Sequence, residues 1–352
     1  MSQRDLHEPK ARAAGAPQPA GAASSRMKDI ARRLLGKPEA GGAITVIVIY
    51  VFFAIVGQGG GFNTLDATAS WLSNAAELGI IAIPIGLLMI AGEFDLSVGT
   101  VVGATSITVA IVTGYFDLSA WIGIGIAIVL GIVVGLVNGL IVVRTKLPSF
   151  IVTLAMMLIL AGLAIFVSSS ITGAASISAA PEGIAKDIFA GEWNGFGTSI
   201  IFCAAILIIA TVVLRNTRFG NWIYATGGNE STARMLGVPT ARVKVLLFVA
   251  SSLGGVLVGV IQTLTFSNGS ISLGSQYVFT GIAAAVIGGV LLSGGFGSAI
   301  GALFGALTYG IVSLGVFYLG WDANLTQLFI GILILLAVFL NSRLRRFAVG
   351  RS

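Results

Sequence analysis

The chain has 352 residues, of which 56% are hydrophobic and only 10% are charged, whereas a typical soluble domain carries about 25% charged residues. This composition excludes an ordinary soluble fold and predicts an integral membrane protein, in which the 48 glycines would let helices pack closely. The net charge of +6 does not indicate a nucleic-acid partner, because most basic residues lie in short segments between hydrophobic runs, where they set membrane orientation.

The amino-terminal segment is polar and rich in Ala, Pro, Gly and Arg, without the apolar core of a signal peptide. We expect residues 1–40 to form a disordered cytoplasmic tail, with a short basic interfacial helix at residues 27–35. The only histidine, His7, lies in this tail, and the only cysteine, Cys203, lies in an apolar run. Histidine chemistry in the membrane body, a disulfide and a thiolate metal cluster are therefore not expected.

Ten apolar runs follow, each about long enough to cross a bilayer. They lie near residues 43–58, 74–91, 97–114, 120–142, 150–169, 197–214, 245–266, 278–293, 297–319 and 323–340. Residues 41–342 are therefore predicted to form one all-α, polytopic bundle of about ten transmembrane helices, followed by a basic cytoplasmic tail at residues 343–352. The runs joined at residues 92–96 and 294–297 are short enough to be re-entrant or broken helices.

Charge placement predicts the orientation, because Lys and Arg accumulate on the cytoplasmic side of membrane proteins. With the amino terminus inside, every Lys and Arg falls on the cytoplasmic side except Lys186, which lies in the longest external segment. An odd number of spans would place the carboxy-terminal arginines outside. The sequence thus predicts an even number of spans with both termini in the cytoplasm.

Small residues recur every four positions in several runs, a spacing that allows close helix contact in lipid. These residues are Ala127, Gly131, Gly135 and Gly139, then Gly255 and Gly259, and then Gly297, Gly301 and Gly305. We expect them to pack helices within one subunit, and a dimer seam is the alternative.

Motifs for catalysis are missing from the sequence. No GxxxxGK[ST] phosphate loop occurs, since the only Gly-Lys pair, Gly36-Lys37, is followed by Pro38. HExxH and EF-hand patterns are also missing, and a GxSxG elbow would have no partner histidine in the apolar body. The sequence therefore predicts no catalytic residues and no metal ligands. It also shows no cluster of carboxylates and aromatics that would mark a sugar site.

The predicted helix centres carry almost no charge, which argues against a proton- or sodium-coupled carrier. Glu93 and Asp95 stand out because they lie between two apolar runs. One interpretation is an interfacial turn in which Asp95 caps the helix that begins near Ser97. The other is a role in the transport pathway or its gating, for which Ser97, Asn138 and Thr153 are further candidates.

The loop at residues 215–244 carries the clearest local signal. Asn229 suits a helix N-cap, Glu230 suits the first turn, and Gly237 with Pro239 is a stop signal. A short helix over residues 230–236 should therefore lie along the cytoplasmic surface. Its apolar residues are Ala233, Met235 and Leu236. Such a helix is either a plain connector or a docking surface for a partner.

This loop resembles the coupling helix of the permeases of ribose-type monosaccharide ABC importers, which contacts the ATP-binding subunit. The residues that match its Gly-Gly-Asn-Glu-x-x-Ala-Arg-x-x-Gly pattern are Gly227, Gly228, Asn229, Glu230, Ala233, Arg234 and Gly237. Further similar segments, in the family's order, are residues 95–99, 138–139 with 148–154, and 282–289 with 294–297. The resemblance covers roughly residues 45–340.

Two positions depart from the family pattern. Members commonly carry an acidic residue shortly after a Gly-x-Gly-Tyr segment, but here Tyr277 is followed by Val278, Phe279 and Thr280. Glu93 occupies a position often held by glycine. Both departures are consistent with a different substrate subgroup.

The resemblance implies a permease dimer, homomeric or heteromeric, in the bilayer of the bacterial inner membrane. It further implies cytoplasmic ATP-binding-cassette subunits that hold ATP and Mg²⁺, so that this chain needs no cofactor, and a periplasmic sugar-binding protein. A stand-alone secondary carrier or facilitator is the main alternative, and it predicts an internal repeat or mid-membrane ion ligands. A non-transporting scaffold subunit is a third reading, which leaves the loop unexplained.

Overall fold

The computed structural model describes the backbone of residues 39–57, 60–180 and 183–349 and, within these ranges, the side chains up to residue 339. The expected tail helix at residues 27–35, His7 and the carboxy-terminal arginines lie outside the residues described in this way.

The chain folds into helices joined by short turns, as the sequence predicts. In chain order they are α1 (Glu39–Val56), α2 (Leu65–Ile90), α3 (Val98–Ala110), α4 (Ala120–Thr145), α5 (Ser149–Thr172), α6 (Ile184–Ala190), α7 (Ser199–Asn216), α8 (Arg218–Gly228), α9 (Glu230–Met235), α10 (Thr240–Phe266), α11 (Tyr277–Ile287), α12 (Ala299–Tyr318) and α13 (Leu325–Val349). A π turn at Ile111–Tyr115 extends α3, and a 3₁₀ turn at Ile271–Gly274 precedes α11.

Two small antiparallel strand pairs complete the described secondary structure. Strand β1 (Ser176–Ser178) pairs with β4 (Asn268–Ser270), with Ser176 opposite Ser270. Strand β2 (Glu192–Trp193) pairs with β3 (Phe196–Gly197).

Among the described residues, eight helices are long and apolar enough to cross a bilayer, and two shorter apolar helices lie at Ile271–Ile287 and Leu325–Phe339. The eight are α1, α2, α3 with its π turn, α4, α5, α7, α10 and α12. All ten overlap the predicted apolar runs, although α2 begins nine residues before its run and the run 278–293 continues past the end of α11 at Ile287. The prediction of an all-α polytopic bundle is confirmed.

The core of the bundle is formed by α2, α3 and α10, which are largely buried, and α10 packs against both α2 and α3. Helices α1 and α5 lie at the periphery and expose large apolar side chains such as Ile47 and Leu158. Lipid tails are as apolar as leucine, so an apolar outer face costs nothing in a membrane. This explains why the peripheral helices are apolar on all sides.

The loops gather at two ends of the bundle. At one end, the Gly295 amide donates a hydrogen bond to the Ile90 carbonyl at 2.8 Å, and the Phe94 amide donates to Ser149 Oγ at 3.0 Å. We call this the basic end, because the predicted cytoplasmic loops with their lysines and arginines lie there. The strand pairs lie at the opposite end, where the Gly197 amide donates to Ser73 Oγ at 3.0 Å. The cytoplasmic orientation of the basic end stays a sequence prediction.

The small-residue stripes contact other helices of the same chain. On α4, a methyl group added to Gly135 would lie 2.5 Å from Cα of Val249 on α10, and one added to Gly139 would lie 2.8 Å from Cα of Val245. Gly131 faces Val256 of the same helix, while Gly301 and Gly305 of α12 face the backbone at Gly288 and Ala284. These contacts support packing within one subunit over a dimer seam.

Gly297 does not belong to the helical stripe in which the sequence placed it. It lies in the turn before α12, whose N-cap is Ser298. Its φ of +149° is a conformation that L side chains rarely adopt, and an added methyl would lie 2.9 Å from a methyl of Val290. Glycine is thus required there by the turn.

Replacing Gly135 by alanine should destabilise the bundle, because the added methyl would force α4 and α10 apart. Overpacking of this kind costs about 1–3 kcal/mol. Gly125, on the same helix, has no heavy atom within 4 Å of an added methyl, so Gly125→Ala is the matched control. We expect a lower midpoint of thermal unfolding in detergent for Gly135→Ala only. Equal midpoints for the two variants would contradict the packing role of Gly135.

Candidate functional site

The predicted surface helix exists as α9. Asn229 is its N-cap, and Asn229 Oδ1 accepts hydrogen bonds from the Thr232 amide at 3.0 Å and from Ser231 Oγ at 2.8 Å. The helix ends at Met235, one residue before the predicted end, and Gly237 follows with a φ of +84°. This left-handed conformation is typical of glycine after a helix, as the stop signal predicted.

A second helix, α8, precedes it in a segment for which the sequence predicted only a loop. Thr217 caps α8, with its Oγ1 accepting from the Gly220 amide at 3.2 Å, and Ile223 is fully buried. The signals for α8 were the capping threonine and an apolar residue once per turn. Gly227 and Gly228 end this helix, so they lie before α9 and not in it.

The end of α8 rests directly on the backbone of two other loops. An added methyl at Gly227 would collide with the Ile90 carbonyl oxygen, and one at Gly294 would lie 2.9 Å from the Gly227 oxygen. Gly92 also lies in this contact, with a φ of +91°. We call Gly92, Gly227, Gly294 and Gly295 the glycine contact. It joins α8, the α2–α3 turn and the α11–α12 loop without any side chain between them.

A chain of charges connects α9 to the same turn. Lys244 Nζ, on α10, lies 2.6 Å from Glu93 Oε1 and 2.7 Å from Glu230 Oε2. The side chains of Lys244 and Glu93 are only 10% and 11% exposed. Arg234 forms an exposed pair with Glu230 at 2.7 Å. Lys244 is therefore shared between the surface helix and a carboxylate of the α2–α3 turn.

The charges around Glu230 decide its protonation. Burial alone would raise the pKa of Glu230, but the hydrogen bond and charge of Lys244, together with Arg234, outweigh burial and hold the pKa below its usual range. Glu230 is therefore ionised at neutral pH and attracts both cations.

Asp95 lies deeper in the turn and is fully buried. Its Oδ1 accepts hydrogen bonds from the amide and the hydroxyl of Ser97, at 2.9 and 2.6 Å, and its Oδ2 accepts from Ser251 Oγ of α10 at 2.8 Å. The N-cap of α3 is Ser97 itself. Asp95 is thus neither the N-cap nor at an exposed interface, and it connects the turn to α10.

Helices α4 and α5 complete the surroundings of the turn. Asn138 Nδ2 donates to Ser97 Oγ at 2.9 Å, and the Leu96 amide donates to Thr153 Oγ1 at 3.1 Å. The five pathway or gating candidates, Glu93, Asp95, Ser97, Asn138 and Thr153, therefore converge on one buried turn. Sequence reasoning missed Ser149, Ser251 and Lys244, because hydroxyls and a lysine near helix ends carry no signal of their partners.

The basic end presents an open surface beside this turn. Met235 and Leu236 are each 80% exposed, although both are apolar. A cleft of about 700 Å³ lies next to them and is lined by Glu93, Lys146, Glu230, Arg234 and Lys244, among others. In the described part of the chain, no group of three His, Cys, Asp or Glu residues could hold a metal ion. The exposed apolar side chains beside a charged cleft suit protein docking.

Similarity to known proteins fixes the family. A family model described as "Branched-chain amino acid transport system / permease component" matches residues 67–338. The chain belongs to this permease family. The match spans α2 to α13 and includes the turn, α8 and α9.

Named relatives align with most of the permease. It is 29% identical over 306 residues to the ribose import permease protein RbsC of Escherichia coli (strain K12), covering 85% of this chain and 93% of that protein. It is 30% identical over 324 residues to the fructose import permease protein FrcC of Rhizobium meliloti, covering 90% and 88%. The inner membrane ABC transporter permease protein YjfF of Escherichia coli (strain K12) is 32% identical over 290 residues, covering 80% and 85%. No solved structure matches the permease significantly.

Glu77 is a polar residue of the permease that sequence reasoning overlooked. It lies within the apolar run 74–91, in α2, and its Oε2 accepts hydrogen bonds from Gln262 Nε2 at 3.0 Å and from the Tyr277 hydroxyl at 3.1 Å. Glu77 is the fourth residue of the predicted run, near its end, but it lies near the middle of α2 because this helix begins at Leu65. A carboxylate inside an apolar run was the signal that could have found it.

Replacing Lys244 by methionine should destabilise the permease, because it leaves the buried Glu93 carboxylate without its cation. Breaking a buried pair costs about 3 kcal/mol, whereas an exposed i, i+4 pair such as Glu230–Arg234 contributes at most about 0.5 kcal/mol. We expect Lys244→Met to lower the midpoint of thermal unfolding far more than Arg234→Gln does.

The double variant Lys244→Met/Glu93→Gln is the control, since it removes both charges and should recover most of the loss. The interpretation of a buried pair fails if the double variant unfolds as early as Lys244→Met alone.

Proposed function

We propose that this permease is the membrane-spanning subunit of an ABC importer for a monosaccharide or a related small sugar or polyol in the bacterial inner membrane. The observation that carries the proposal is the continuous link from the exposed helix α9, through Lys244, to the buried α2–α3 turn. A partner ATPase that binds the exposed helix α9 could therefore move the buried α2–α3 turn.

The partners follow from the same arrangement. A cytoplasmic ATP-binding-cassette ATPase would dock on α9, where Met235 and Leu236 offer apolar contact and Glu230 and Arg234 offer charge. ATP and Mg²⁺ would be held by that ATPase, so the permease would hydrolyse nothing and need no cofactor. A periplasmic sugar-binding protein would deliver the solute at the opposite end, and a second permease copy, identical or related, would complete the pathway.

The substrate class rests on the relatives. RbsC and FrcC are named for ribose and fructose import, and each aligns with at least 85% of this chain. The family description instead names branched-chain amino acids. We favour a sugar, because the named relatives match individually along nearly the whole chain.

We infer a mechanism in which movement of the ATPase reaches the α2–α3 turn through two separate contacts. Closure of the ATPase would displace α9, and Lys244 would carry the displacement to Glu93 through charge. The glycine contact would carry it from α8 to the same turn through the backbone. The turn precedes α3 and follows α2, two core helices, so its movement would switch the bundle between outward-open and inward-open states.

A stand-alone secondary carrier is the second candidate. Glu77 favours it, because a carboxylate inside a membrane helix is a frequent ion or proton site in such carriers. A carrier would need neither an ATPase nor α9.

Uptake by proteoliposomes separates the two functions. Vesicles would hold the permease with the ATPase and the binding protein encoded by neighbouring genes, and uptake of radiolabelled D-ribose, D-fructose, D-glucose and myo-inositol would be measured with and without internal ATP. The importer predicts uptake that needs both partners and ATP, and loss of that uptake in Glu230→Ala and Arg234→Ala. Uptake by the permease alone, insensitive to ATP and to these variants, would establish the carrier instead.

Docking on α9 is tested by co-purification of the ATPase. The double variant Met235→Asp/Leu236→Asp should weaken ATPase binding by about 2 kcal/mol, or roughly thirtyfold, if these side chains anchor the interface. Lys186→Ala is the control, because Lys186 lies in the connection at the opposite end and should not affect this binding. Unchanged co-purification of the double variant would place the ATPase elsewhere.

A further inference from the structure

Helix α2 carries a polar stripe in its first half, toward the end opposite α9. Ser70, Ser73, Asn74 and Glu77 have the spacing i, i+3, i+4 and i+7, which places them on one helix face. This face lines a cleft of about 420 Å³, and Ser70, Ser73 and Glu77 also line a second cleft of about 150 Å³. Polar side chains on a core membrane helix need hydrogen-bond partners, and the two clefts are the space in which such partners could bind.

Glu77 is held in a triangle of hydrogen bonds at the wall of the larger cleft. Gln262 Nε2 donates both to Glu77 Oε2 at 3.0 Å and to the Tyr277 hydroxyl at 2.7 Å. The Tyr277 hydroxyl donates to the same Glu77 oxygen at 3.1 Å. Both bonds to the carboxylate therefore use Oε2, and three different helices, α2, α10 and α11, fix its position.

Gln262 is left with an unused acceptor. Its side chain is only 4% exposed, and its buried Oε1 has no hydrogen-bond partner. Exchanging the amide oxygen and nitrogen would not help, because the oxygen would then face the Glu77 carboxylate. A buried acceptor without a donor costs about 1–3 kcal/mol, so Gln262 is held beside Glu77 at a cost in stability.

The lining of the larger cleft indicates what kind of solute it could bind. Besides Glu77 and Gln262, its polar residues are Ser70, Ser73, Asn74, Ser272, Ser275 and Gln276, and its apolar residues are Leu273 and Phe266. Hydroxyls, amides and one carboxylate can pair with many hydroxyl groups at once, while Phe266 offers an apolar face. The described lining has no lysine or arginine, which argues against an anionic solute. The volume of about 420 Å³ falls within the range of about 300–1,000 Å³ that small-molecule sites have, so it is large enough for a monosaccharide.

We propose that the cleft between α2, α10 and α11 is a solute site of the permease, in which Glu77 binds the hydroxyl groups of a neutral polyhydroxylated solute and Gln262 holds the Glu77 carboxylate in position. Hydroxyls of the solute would donate to Glu77 from the cleft that this side chain lines. The substrate class rests on the proposed importer function, and the site itself rests on the geometry. The permease would then contribute to selectivity, in addition to any delivering protein.

Helix α2 connects the solute cleft with the basic end of the bundle. Glu77 lies in α2, and the same helix ends at Ile90, whose carbonyl accepts the Gly295 hydrogen bond at the basic end. One continuous helix thus connects the solute cleft to the turn on which α8 and Lys244 act. A solute held by Glu77 would bind to the element that the ATPase moves.

Cysteine protection tests the site without transport. In a Cys203→Ser background, Ser275→Cys places a single thiol in the lining of the cleft, where a water-soluble maleimide can reach it. We expect at least one of D-ribose, D-fructose, D-glucose and myo-inositol to slow labelling several-fold, while glycine betaine, which has no hydroxyl group, does not. Protection should disappear when Glu77→Gln is added. It should persist with Asp66→Asn, a carboxylate of the same helix that lines neither cleft.

Uptake kinetics give the second readout. Hydrogen bonds to a charged group contribute about 1.5–3 kcal/mol, so Glu77→Gln should raise the KM for uptake about tenfold or more with little change in kcat, and Asp66→Asn should leave both unchanged.

The two proposals fail in different ways. Absence of protection by every solute, protection that survives Glu77→Gln, or an unchanged KM in Glu77→Gln would each overturn the solute site. Protection in a permease that shows no ATP-dependent uptake would uphold the site and contradict the importer.

Discussion

The fold depends on one interruption, the non-helical turn between α2 and α3, most of whose residues are buried. Backbone amides freed by such a turn cost several kcal/mol each unless they find partners. Here the amides of Phe94, Leu96 and Ser97 donate to side-chain oxygens of Ser149, Thr153 and Asp95. Asp95 is in turn bound by Ser251. Because the partners come from α5 and α10, satisfying the turn also fixes where these helices can stand.

Close helix packing makes these hydrogen bonds possible, since serine and asparagine side chains are short. Gly135 and Gly139 bring α4 against the backbone of α10 at Val249 and Val245. Asn138 and Ser251 lie in this contact region of the two helices, and both reach the turn. The polar cluster around the turn therefore depends on the glycine stripe of α4. Without these glycines, α4 and α10 would be too far apart for the short side chains to form their hydrogen bonds.

Much of this architecture can be read from the sequence, because hydrophobic runs and helix caps are local signals. The ten runs, the Asn229 cap and the Gly237 stop were all predicted and found. The partners of Asp95 and Glu77 were not, because Ser251 and Gln262 are more than 150 residues away along the chain. Such contacts depend on which helix faces meet, and periodicity within one run does not contain that information. Helix α8 was missed for another reason: its glycines and polar residues resemble those of a loop.

The glycine contact also determines how stiff the connection at the basic end is. A long side chain between two elements can change rotamer when one element moves, so only part of the displacement reaches the other element. Gly92, Gly227, Gly294 and Gly295 place backbone directly on backbone, with the Gly295 amide bonded to the Ile90 carbonyl at 2.8 Å. The end of α8, the α2–α3 turn and the α11–α12 loop are joined in this way with no free space between them. A shift of α8 by a fraction of an ångström would reach the ends of α2 and α12 almost undiminished.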